Sequence, residues 1–177
     1  MLTEQHGEQT ALDVIQAAGV PSDVLLTMKS YEDEITLSLV KAAARHLGQP
    51  LDRFLIDLGY YWMTRFAPQT YGGLLEQAGG DLVTFLNHLN PLHDRIGTSF
   101  VNFAPPLFEV NTFSDTVVEL HYASHRHGLK FFLEGILAGL CDHLRQPAVI
   151  EETSYTSSES GDSATYRITL ETGAAHE

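Results

Sequence analysis

A chain of 177 residues, 44% hydrophobic and 19% charged, can bury one sizeable core and is short for two, so a single domain over 1–177 is expected. Its 23 acidic residues against 10 Lys and Arg set the formal net charge at -13. A surface of that sign repels phosphate backbones, which excludes nucleic acid as a partner, and no apolar run nears the roughly 18–20 residues that would insert in a membrane.

The opening "MLTEQHGEQT" lacks the basic and apolar regions of a secretory signal. The single cysteine, Cys141, excludes an intrachain disulfide, and both features lead to the expectation of a reducing, cytoplasmic setting. Two short helices are then expected, at 10–19 and 22–29, punctuated by Gly19 and Pro21. A longer one over 31–48 carries Ile35, Leu39, Val40, Ala43 and Leu47 at helical spacing and stops at Gly48 and Pro50. The stretch 51–66 repeats the pattern with Phe54, Leu55, Leu58, Trp62 and Phe66. After a brief "YGGLLEQAGG", Asp81 is the expected N-cap of "LVTFLNHLNPLHDRI", with Leu82, Phe85, Leu86, Leu89 and Ile96 as its apolar stripe. Pro91 should kink or restart that helix just before itself.

Beyond Pro105 and Pro106 the period changes to two. "LFEVNTF" and "TVVELHYAS" read as a hairpin, a helix follows over 128–144, and "AVIEETS" and "SATYRITLE" flank "ESGD" as a second hairpin. The Ser-rich stretch 154–163 is expected to be its tip. Helices first and strands mostly afterwards indicate α+β, with an antiparallel sheet of about four strands.

Two features carry chemistry. His93 lies four residues after Leu89, within about 40° of the apolar face of its helix, whereas His88 lies roughly 140° away, so the two cannot share a metal. Downstream, Tyr122, Ser124 and Arg126 share one face if the strand persists. A phenol, a hydroxyl and a guanidinium in one row form a donor array for carboxylates. Separately, these are an ordinary core histidine and an ordinary polar strand edge. Together they describe an axial imidazole and a clamp for two propionates. His121, His125 and His127 could share the opposite face, but no carboxylate partner stands at a convincing spacing for zinc.

The motif Tyr-x-Ser-x-Arg at 122–126, following a Leu-x-x-Leu-His-type helix at 89–93, resembles the H-NOX (haem–nitric oxide/oxygen binding) family. That family includes the haem domain of soluble guanylate cyclase. "APP" at 104–106 sits where the family packs a proline on the haem, and "KSYEDEITLSLVKAAARHLG" and "FLIDLGYYW" resemble its helical subdomain. The resemblance implies haem b (iron protoporphyrin IX) with His93 as proximal iron ligand. It further implies that Tyr122, Ser124 and Arg126 bind the propionates, that Pro106 distorts the porphyrin, and that Trp62 and Phe131 stand on the distal side. Phe131 takes the place of the tyrosine that oxygen-binding members carry, so binding of NO and CO without stable oxygen binding is implied. So is a sensor without enzymatic activity, signalling by rupture of the His93–iron bond to a separate histidine kinase or cyclic-di-GMP enzyme. Two departures stand out: the family's first apolar helix has no counterpart before "EQHGEQT", and Pro91 sits in the ligand helix. Two rival readings remain open here: a haem-free adaptor on the same fold, which a missing Soret band would reveal, and a His-based metal hydrolase, which zinc content and esterase activity would reveal.

Overall fold

Residues 1–20, 33–98 and 104–171 are described by the structure, a computed structural model; the helix expected at 22–29 lies outside them. Among the described residues the first elements are the helices α1 (Leu2–His6), α2 (Glu8–Ala17), α3 (Asp33–His46) and α4 (Leu51–Tyr61). Their shared core is small, with Val14 and Phe54 packed on Ala42, Ala43 and Ala44.

α4 does not stop at 66 as its periodicity suggested. It passes through one π-helical turn, Trp62–Phe66, into α5 (Ala67–Ala78), which is kinked at Tyr71. Pro68 supplies the reason: it has no N–H for the Thr64 carbonyl, so the ladder widens there and the Ala67 N–H bonds instead to the Trp62 carbonyl.

Asp81 caps α6 (Leu82–Asn87) as expected, its Oδ1 accepting the Thr84 N–H at 2.9 Å. The helix breaks at His88 (φ -96°, ψ 2°) and restarts as α7 (Leu89–Gly97). The break therefore falls three residues ahead of Pro91, not next to it. In a continuous helix Pro91 would leave the Asn87 carbonyl unbonded and clash with it; restarting at Leu89 puts the proline in a first turn, where its N–H would have no partner anyway.

The sheet is antiparallel throughout, with strand order β1-β2-β4-β3, built from β1 (Leu107–Thr112), β2 (Val117–Ser124), β3 (Ala148–Ser158) and β4 (Gly161–Leu170). The α+β expectation holds. β3 runs further than anticipated: residues 154–158, expected as hairpin tip, pair with β4 instead. Strand pairing uses backbone groups, so serines are tolerated on an exposed edge.

One face of the sheet presents Val118, Leu120, Tyr166 and Ile168, none more than 1% exposed. Onto it pack α6 and α8 (Lys130–His143), through Leu82, Phe85, Leu86, Leu137 and Leu140. Each such side chain contributes roughly 1.5–3 kcal/mol by leaving water. α8 also lies against α4 with backbone touching backbone: a Cβ on Gly59 would stand 2.1 Å from the Phe132 carbonyl oxygen, and one on Gly135 2.0 Å from that of Ile56. No larger residue fits either place unless the helices part.

Candidate functional site

Between the helices and the sheet lies a cavity of about 460 Å³. α8 forms one wall with Leu129, Phe132, Leu133, Ile136, Leu137 and Leu140, a stripe at helical spacing. The π-helical turn adds Trp62 and Met63, and residues 104–106 (Ala-Pro-Pro) close another side. Apolar surface predominates, as is usual for a small-molecule site.

α7 brings His93 to this wall. Its ring stacks on Phe108 (centroids 5.8 Å apart, planes 29° from parallel), and Phe108 in turn leans on Tyr122 at 5.7 Å. Burial holds the imidazole below its ordinary pKa, against a weaker pull from Asp94. The ring is therefore neutral at physiological pH, the form that offers a nitrogen lone pair to a metal.

Asn90, a residue that sequence reasoning passed over, anchors α7 to β1. Its Nδ2 donates to the Phe108 carbonyl at 2.7 Å and its Oδ1 accepts the Phe108 N–H at 3.0 Å. The imidazole and the aromatic ring it rests on are thus held by one amide side chain. Asn-Pro at a helix start does signal a cap or turn, but nothing local names a partner 18 residues away.

Tyr122 and Ser124 point inward from β2 and are buried. Burial raises the Tyr122 phenol pKa, and a hydrogen bond with the Ser124 side chain opposes that rise. Arg126 also lines the cavity, but not from an extension of the strand. β2 ends at Ser124, the chain bends, and the Arg126 N–H donates to Ser124 Oγ at 3.1 Å. The hydroxyl thereby stops the strand and turns the guanidinium towards the same rim.

Of the residues singled out from sequence, His93, Pro106, Tyr122, Ser124, Arg126 and Trp62 all face this cavity. Phe131 does not. Its ring lies under the Lys130 ammonium at 4.8 Å, and Phe132 stands on the wall instead. Counting five residues from Arg126 assumed a fixed phase; the left-handed turn at Gly128 (φ 75°) and the helix start at Lys130 set a different one. Tyr60 and Tyr61 point elsewhere, donating to Asp142 at 2.5 Å and to Glu4. His121, His125 and His127 bind Thr165, Ser160 and Asp162 separately. Among the described residues, no three His, Cys, Asp or Glu side chains are grouped to hold a metal ion.

The donor set fits a flat, largely apolar molecule with a metal centre and an anionic edge. One neutral imidazole faces the apolar interior, and phenol, hydroxyl and guanidinium gather at one rim. Haem has those properties, with its iron for the imidazole and its propionates for the rim.

Comparison with known proteins agrees. The haem-NO-binding family model matches residues 1–152. Soluble guanylate cyclase gcy-31 of Caenorhabditis elegans is 28% identical over 154 residues, 85% of this chain and 22% of that protein. The rat guanylate cyclase soluble subunit beta-2 is 33% identical over 87 residues, 49% of this chain and 13% of that protein. The chain thus spans about a fifth or less of the curated relatives it matches. Among solved structures, a point mutant of T. tengcongensis H-NOX superposes with a TM-score of 0.84 at 16% identity, covering 97% of this chain and 92% of that one. An oxygen-binding H-NOX domain related to soluble guanylate cyclases, solved as its oxygen complex, gives 0.82 at 16% identity, covering 97% and 89%. At that identity the likeness is one of fold.

Proposed function

The chain belongs to the haem-NO-binding family, and from that premise we propose that it is a haem-based sensor of nitric oxide. The observation that carries this reading is convergence. An imidazole from α7, Tyr122 and Ser124 from β2 and Arg126 from the bend after it face one apolar cavity, although the chain between α7 and β2 folds through a separate hairpin strand.

Haem b, when bound, would supply a ferrous iron with affinity for diatomic gases. The protein's own residues would do the rest. His93 would hold the iron through the nitrogen that burial keeps unprotonated. Arg126, Tyr122 and Ser124 would pair the propionates, whose burial beside no cation would otherwise cost several kcal/mol. Pro106 and its neighbours would press on the porphyrin face from residues 104–106. The wall formed by Trp62, Phe132 and Ile136 would exclude water. Phe132 would bring no hydrogen-bond donor to that wall, and so would favour nitric oxide and carbon monoxide, which need none, over oxygen.

Signal output would follow from α7. Without a metal on His93, α7 would be tied to the sheet chiefly by Asn90 and by Leu92 and Ile96 in the core. A helix with two arrangements is the bistable element such sensors need. The movement would be read by a signalling protein, of which a histidine kinase or a cyclic-di-GMP enzyme is the kind expected, in a cytoplasmic setting.

Apo-protein titrated with haemin tests the reading. A Soret band should grow to one equivalent while the fluorescence of Trp62, the one tryptophan, falls. His93→Ala should lose the complex unless imidazole is added. Equal uptake by His93→Ala and parent without imidazole refutes the assignment.

A further inference from the structure

The turn that presents Ser124 and Arg126 is organised by a side chain that lies outside the cavity wall. Asp162 stands directly across from Ser124 in the β2–β4 register and is 3% exposed. Its two oxygens accept four hydrogen bonds. Oδ1 takes the Ser157 hydroxyl at 2.6 Å and His127 Nδ1 at 2.9 Å; Oδ2 takes the Gly128 N–H at 2.7 Å and the Tyr155 phenol at 3.1 Å. Two of these donors belong to the turn after Arg126, and two to β3 on the far side of β4. The carboxylate therefore ties the turn to the hairpin end of β3 and β4.

The same turn is confined from its other side. A Cβ on Gly161 would lie 2.0 Å from the Ser124 carbonyl oxygen, so the β3–β4 hairpin tip rests on the backbone of the clamp itself. Gly128, whose N–H is the shortest turn donor to Asp162, holds φ at 75°. Arg126 is thus carried on the bend 125–128, fixed at one end by Ser124 Oγ and at the other by Asp162.

We propose that Asp162 is the positioning residue of the anion clamp: it holds the 125–128 turn so that Ser124 and Arg126 meet the carboxylates of a bound porphyrin. This rests on the cavity being a porphyrin site. An arginine on a free bend would have to be ordered at the moment of binding, and that ordering weakens association. A carboxylate with four donors is well suited to the task, because ionised acceptors make the stronger hydrogen bonds and leave little freedom in the turn.

The test separates positioning from general damage by changing the ligand's charge. Apo forms of the parent, Asp162→Asn and His127→Ala are titrated with haemin and with haemin dimethyl ester, followed by Soret absorbance and by quenching of Trp62. Asparagine keeps the shape but turns one acceptor into a donor facing two others. Asp162→Asn should bind haemin about tenfold more weakly than the parent and the ester within about twofold, a loss equal to about one charged hydrogen bond. His127→Ala removes a single half-exposed donor and should show a smaller loss of the same kind. In an Arg126→Ala background, Asp162→Asn should cost clearly less than in the parent, the remainder falling on Ser124. Equal weakening of both ligands, or additive losses in the double variant, overturns the positioning role. So does unchanged haemin binding in both Asp162→Asn and His127→Ala. Should Asp162→Asn fail to fold, His127→Ala decides the question by the same comparison. A parent that takes up neither porphyrin overturns the reading of the cavity, and a parent that takes up both keeps the two questions apart.

Discussion

Gly135→Ala adds one methyl group where α8 meets α4. The new Cβ would stand 2.0 Å from the Ile56 carbonyl oxygen and 2.8 Å from the Tyr60 nitrogen, both backbone atoms that no rotamer change can move. Reaching ordinary contact at 3.4 Å requires the helices to part by about 1.4 Å locally, and overpacking of this kind costs about 1–3 kcal/mol. Alanine's better helix propensity returns up to ~1 kcal/mol. The net expectation is destabilisation by about 1–2 kcal/mol, a fall in Tm of roughly 2–8 °C for a chain of this size. Gly73→Ala is the internal control, since nothing lies within 4 Å of a Cβ there; it should be neutral or stabilising by up to ~1 kcal/mol. Urea denaturation followed by far-UV circular dichroism gives both values. Because Phe132 and Ile136 flank Gly135 on the cavity wall, haemin affinity should fall in Gly135→Ala and not in Gly73→Ala. Equal stability effects for the two substitutions would refute the argument from close backbone approach.

Arg126→Ala should speed haem loss roughly thirtyfold, the equivalent of about 2 kcal/mol in charged hydrogen bonds, and Arg126→Lys should restore only part of it, because an ammonium lacks the two-pronged geometry; transfer of haem to apomyoglobin measures both. Phe132→Tyr should raise the oxygen affinity of the ferrous, haem-loaded protein by about tenfold through one new donor, while Phe131→Tyr, off the wall, should leave it unchanged; a gain only at 131 would reverse the placement. Asp162 supplies a pH dependence. Burial alone would raise its pKa, but the bonds from Ser157, Gly128, His127 and Tyr155 outweigh it and hold the carboxyl at about 2, below its ordinary 3.8. A depressed carboxylate stabilises the fold above pH 3.8 and loses that contribution, roughly 2 kcal/mol, as pH falls towards 2. Acid unfolding of the apo-protein should therefore flatten across that window in Asp162→Asn, and an unaltered acid limb would count against the four-bond geometry.

Elements whose cause is local could be read from the sequence. Asp81 caps α6 because its acceptor and the Thr84 donor are three residues apart; β2 alternates because strand side chains do; His93 and the Tyr-x-Ser-x-Arg row announce themselves by spacing. The α+β class followed from the change of period at Pro105 and Pro106. Tertiary structure decided whatever depends on the phase or partner of those elements. Helical spacing cannot tell Phe131 from Phe132 as the wall residue, since a single left-handed residue at Gly128 resets the count. The restart at Leu89 of the helix that carries His93 reflects the backbone of residue 87 as much as the proline at 91. Asn90 and Asp162 stayed hidden for a different reason. An amide or a carboxylate in a polar stretch looks solvent-facing until distant strands bring it donors and acceptors, here from 18 residues away in one case and up to 35 in the other. Spacing reveals which side chains share a face; only the folded chain, by burying polar groups that must then be satisfied, reveals what they hold.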